Sequence, residues 1–141
     1  MVPVAFLIIA AGCSGGAASS SAPTSAASTS AASGAVKTVT LAAVGTSGVY
    51  GTATLSDVGG GQTQVVIAVE ANSNPDMPGS VSLGTCTKID ESTNYHLSDT
   101  RHGVSTSQIP VSLASLTARP FVVHIHTAPD EPSLAACGEI T

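Results

Sequence analysis

The chain has 141 residues, with 9 acidic against 4 basic residues and a formal net charge of −5. All thirteen charged residues lie at position 37 or later, leaving an uncharged front of 36 residues and a remainder of 105, a size suited to one domain with its own core. Lys37, Lys88, Arg101 and Arg119 are too scattered to form the basic stripe that a nucleic-acid partner requires, and no Trp, two Tyr and two Phe make no stacking platform.

In chain order, Val2 to Ala11 is a ten-residue apolar run, VPVAFLIIAA, about half the length needed to cross a bilayer. It is expected to be a signal-peptide core. Ala10-Ala-Gly-Cys13 follows, opening a Ser/Gly tract, and resembles the lipobox of bacterial lipoproteins. In that family the signal is cut before the cysteine, so the resemblance implies a signal peptide over 1–12 and lipid attachment at Cys13. The pattern departs from the family in having Ala10 where Leu is usual and no Lys or Arg before the apolar run.

Ser14 to Val36 is built from Ser, Ala, Gly, Thr and Pro, with Val36 the one exception. Such a segment buries too little surface to offset its ordering entropy and is expected to be a disordered tether. Its 23 residues would span roughly 25 Å. The expected location is the cell envelope, at the outer face of the cytoplasmic membrane or in the periplasm, with the membrane as a partner through the lipid anchor.

From Lys37 the pattern is strand, turn, strand, with Ser and Thr at 26 of the 105 positions. Strands are expected over Lys37–Val44, Gly51–Ser56 and Gln62–Glu70, the last two joined through a turn at Asp57-Val-Gly-Gly-Gly61. Ala71–Gly79 reads as a loop, Ser80–Leu83 as a short strand and Gly84–Thr93 as irregular. Val104–Val111 is a strand interrupted by Pro110, Ser112–Thr117 one helical turn, Pro120–Thr127 a strong strand and Ser133–Ile140 a closing segment. No stretch of 11 residues after the tether sustains helical periodicity. The domain, 37–141, is therefore expected to be all-β, an antiparallel sandwich or barrel.

With Cys13 set aside, Cys86 and Cys137 remain. An oxidising compartment favours one disulfide between them, the alternatives being two buried thiols or a thiolate metal site. All four histidines, His96, His102, His124 and His126, fall in the last third. His124 and His126 are two apart on a predicted strand and face one side. This H-x-H pair is half of a copper or zinc site that His96 and Asp99 would complete, with His102 nearby; the competing reading is two ordinary strand histidines. The adjacent pairs Asp90-Glu91 and Asp130-Glu131 read as solvated loop acids. Gly59-Gly60-Gly61 lies between strands, where it makes a turn and no phosphate cradle, and no Gly-x-Ser-x-Gly elbow is present.

Two segments together resemble copper/zinc superoxide dismutases and small secreted bacterial proteins of that fold. They are His126-Thr-Ala-Pro-Asp130-Glu131 with Leu134-Ala-Ala-Cys137-Gly-Glu-Ile140, and Gly79-Ser-Val-Ser-Leu-Gly-Thr-Cys86. The resemblance implies a Greek-key β-sandwich over about Leu41 to Ile140, a Cys86–Cys137 disulfide and His126 as the strand copper ligand. It also places Ser80 and Ser82 where the family carries its His-x-His ligands, and Leu134 where it carries the substrate-guiding Arg. The His-rich zinc loop is reduced to His96, Asp99 and His102, with His96 and Asp99 keeping the family's His-x-x-Asp spacing. Redox dismutation needs a metal in an open site, and three of its expected parts are absent. The expectation is a non-enzymatic binding or structural domain with no resident cofactor. The alternatives are a copper or zinc binding protein using His124, His126, His96 and Asp99, or a divergent superoxide dismutase.

Overall fold

A computed structural model of the chain describes residues 34–71 and 76–141. Cys13, the signal peptide over 1–12 and all but the last residues of the tether lie outside them. The strands are β1 (Val36–Ala43), β2 (Tyr50–Gly59), β3 (Gln62–Glu70), β4 (Gly79–Thr85), β5 (Lys88–His96), β6 (Val104–Ile109), β7 (Phe121–Ala128) and β8 (Glu131–Ile140), with one short helix, α1 (Leu113–Thr117), before β7.

All pairings between these strands are antiparallel, and they join into one sheet of order β5-β4-β7-β8-β1-β2-β3-β6, curled into a half-barrel. The all-β expectation is met. β1 joins the two halves: Val36 to Leu41 pair with β2, while Ala42 and Ala43 pair with β8. Val36, assigned to the tether from sequence, is the first residue of β1, and the Ala35 carbonyl already accepts from Asp57 N at 2.9 Å.

Alternation builds the core. β3 buries Thr63, Val65, Ile67 and Val69 and turns the intervening residues outward, the period of two that a half-buried strand requires. With Val39, Leu41, Ala53, Leu55, Val81, Val123 and Ile125 from other strands, the inner residues form one apolar cluster. The buried Thr63 hydroxyl donates to the Val111 carbonyl at 2.7 Å, which offsets the cost of taking it out of water.

β2 runs to Gly59, further than the sequence suggests, because Gly59 pairs with Gln62 and the turn is confined to Gly60-Gly61. Both have positive φ, 63° and 73°, as a tight hairpin between right-twisted strands demands. α1, the expected helical turn, is capped by Ser112, whose side chain accepts from Ser115 N. Gly84–Thr93 is where the sequence reading fails. Most of this stretch is β5, an edge strand whose residues are exposed or half-buried on both faces, so it carries no apolar alternation to read.

Candidate functional site

The chemistry-bearing residues gather on the outer face of β5, β4 and β7. Val81, Val123 and Ile125 point into the core, so Ser80, Ser82, Val122 and His124 must face the other way. Register then sets the neighbours: Ser80 is opposite both His96 and His124, and Ser82 is opposite Asn94 and Val122. On the far side of β7, His124 pairs with Cys137.

His124 is 1% exposed although it lies on the outer face. Its Nε2 shares a 2.9 Å hydrogen bond with Ser82 Oγ, while its Nδ1 has no partner. Its ring meets that of His126 edge-on, with centroids 5.2 Å apart. Burial, and to a lesser degree the neighbouring His126, push the His124 imidazole down to about 4, against an opposing pull from Glu91. His124 is therefore neutral at pH 7. Ser82 is fully buried, so the Ser82–His124 pair is closed to a substrate and acts as an internal polar link.

His126 is half-buried and its backbone N donates to the Pro78 carbonyl at 2.9 Å. β7 has register shifts on either side of His126, which borders a cavity of about 430 Å³. Ser80, Asn94, His96 and His126 line it, with Glu91, Asp130 and Glu131 among the acids and three prolines at its edges. Ser80 Oγ and His96 Nδ1 are 3.5 Å apart, a long contact. The acids read from sequence as solvated loop pairs are exposed, but Glu91 belongs to β5 and shares this cavity with Asp130 and Glu131. Only the pairing of β5 with β4 brings Glu91 there, and nothing local in the sequence signals it.

Of the four residues expected to hold a metal, the fold brings His124 and His126 into contact and sets His96 across Ser80 from His124. Asp99 lies in the segment after β5 and is absent from the cavity wall. His102 is exposed at a left-handed φ of 52° in the turn before β6. Among the described residues, no three His, Cys, Asp or Glu side chains converge to hold a metal ion.

Cys86 and Cys137 form a disulfide, with Cα atoms 5.8 Å apart and 51 residues between them in sequence. Cys86 stands in the β4–β5 turn and its N–H donates to Glu139 Oε1 at 3.2 Å, so this turn is tied to β8 beside His124. Among the described residues no helix is long and apolar enough to cross a membrane. No protein-family model, curated protein or solved structure matches the chain.

Proposed function

We propose that the chain is an exported, membrane-anchored lipoprotein with a non-enzymatic binding or structural role at the cell envelope, on a degenerate superoxide dismutase-like scaffold. Ser82 carries this reading. At a position where the resembled family has a copper-ligating imidazole, a buried hydroxyl is hydrogen-bonded to His124 at 2.9 Å. Ser80 stands at the other such position, and a hydroxyl is a poor copper ligand beside imidazole. The donor set thus does not fit a dismutase copper, and no redox step is assigned to these residues. The Greek-key pattern is supported by β4 to β7, where β7 returns through α1 to lie beside β4. The two free edges, β5 and β6, come near each other where Ser98 N donates to Ser107 Oγ at 2.7 Å. On this reading the 430 Å³ cavity is the binding site.

The contact between the His124 and His126 rings favours a second reading, a non-catalytic copper or zinc protein in which His96 swings toward that pair. One preparation tests both. The protein is isolated from membranes of cells grown with labelled palmitate, then assayed for label, metal content and dismutase activity. The expected result is label that Cys13→Ala abolishes, no stoichiometric metal and no activity above free copper. Copper near one per chain with high activity overturns the reading. Stoichiometric metal that is lost in His126→Ala, without activity, selects the second.

A further inference from the structure

The outer face of β1, β2, β3 and β6 is unlike the rest of the surface. Inward residues on these strands are fixed by burial, among them Val39, Leu41, Ala53, Leu55, Val65, Ile67 and Ile109. The alternate residues therefore point outward. Register stacks them into rows: Thr38 beside Thr54 beside Val66 beside Thr106, and Thr40 beside Thr52 beside Ala68 beside Val104. The four exposed large hydrophobics among the described residues, Val36, Tyr50, Val58 and Val104, all take outward positions on this one face. Glu70, at one corner, is the one charged residue among those outward positions.

Solvated sheet faces ordinarily carry Lys and Glu, which lose much side-chain entropy when immobilised. Thr, Val and Ala lose little, and each rotamer-rich side chain avoided at an interface spares about 0.5–1.5 kcal/mol; the rotamer-rich Gln62, Gln64 and Gln108 are confined to one end of the face. Charge decides the occupant. A molecule of net charge −5 repels its own copy, and a face holding a single carboxylate is where two copies meet with least repulsion. The four strands hold 8, 10, 9 and 6 residues, which at about 3.3 Å per residue and about 4.8 Å between strands give roughly 520 Å² per copy. Doubled, that is roughly 1,050 Å², just above the ~1,000 Å² that a specific contact must clear and within the range of weak, transient interfaces.

We propose that this face packs against the same face of a second copy in a two-fold symmetric, reversible dimer of micromolar affinity. The contact centres on Thr52, Thr54, Val66 and Ala68, in the two inner strands of this four-stranded half of the sheet. It lies on the opposite half of the sheet from the His124 cavity and does not depend on the function assigned to that cavity.

Sedimentation velocity of the full chain in density-matched detergent tests the proposal. The expected result is a species of twice the 13.8 kDa chain mass that dissociates on dilution. Thr54→Lys sets two like charges against each other across the symmetry axis and is expected to weaken the dimer at least about a hundredfold. Thr87→Lys, in the exposed β4–β5 turn, is expected to leave it unchanged. Ala68→Lys, on the adjacent strand, repeats the test if Thr54→Lys fails to fold. A protein that stays monomeric at about 100 µM, well above the micromolar range expected of an interface this small, overturns the proposal. So does a dimer that survives both folded lysine variants, since its contact then lies elsewhere, in residues 1–33 or another face.

Discussion

Protonating His124 charges a ring that has 1% of its surface exposed, one nitrogen without a partner and a second imidazole against it. The folded state resists this down to about pH 4, whereas the unfolded chain takes up the proton near the ordinary value of 6.5. The unfolded state therefore binds more protons in that window, and stability rises with pH across it. The contribution is complete above about pH 6.5 and is lost as the pH falls toward 4. By linkage it amounts to about 3 kcal/mol. His124→Gln keeps a polar side chain and removes the titration. Urea unfolding at pH 7 and pH 4 is expected to show a smaller loss of stability in this variant than in the wild type, with the difference close to that figure. Equal losses would place His124 in water. The sequence reveals that His124 and His126 are neighbours on one strand, because a period of two needs no tertiary information. It does not reveal Ser82 as the partner of His124, 42 residues away, since that depends on how β4 and β7 come into register.

Strands whose one face is buried announce themselves, and β3 is read from sequence to the residue. β5 is hidden for a physical reason: Lys88, Asp90, Glu91 and Ser92 are exposed on an edge, and the strand's one ladder neighbour is β4, with Tyr95 packing against the core. What makes that pairing possible is local. Gly84, near the end of β4 and opposite Ile89, has φ 118°, and a Cβ there would collide with the Lys88 carbonyl. Gly84→Ala should thus disturb the register that delivers Glu91, Asn94 and His96 to the cavity. A left-handed conformation imposed on a non-glycine residue costs about 1–3 kcal/mol before any clash is counted. The expected outcome is a loss of at least about 2 kcal/mol in urea unfolding, with faster amide exchange confined to β5. Uniform loss across the sheet, with β5 no more affected than β3, would show that β5 is not held through Gly84.

At the scale of the molecule, a core drawn from 105 residues with few aromatic side chains is stapled by one covalent bond. Cys86 belongs to the β4–β5 hairpin at one free end of the sheet, and Cys137 to β8, three places in from that end. The disulfide thus spans β7 and holds the half of the sheet that carries the cavity, leaving the threonine face to be held by packing and register alone. The cysteine pairing is legible in the sequence because two cysteines in one domain permit a single intramolecular disulfide. Its position over the cavity half is not, since it depends on strand order. Closing a loop of this length restricts the unfolded chain by about 4 kcal/mol in the chain-entropy model, and removing native disulfides from small exported domains typically costs about 2–5 kcal/mol. Cys86→Ala with Cys137→Ala is accordingly expected to lower unfolding stability by that amount. Hydrogen exchange is expected to rise in β4, β5 and β7 first, with β1, β2 and β3 following only on global unfolding. Equal exchange in both halves would mean that the half-barrel unfolds as one unit and that the disulfide acts on the unfolded chain alone.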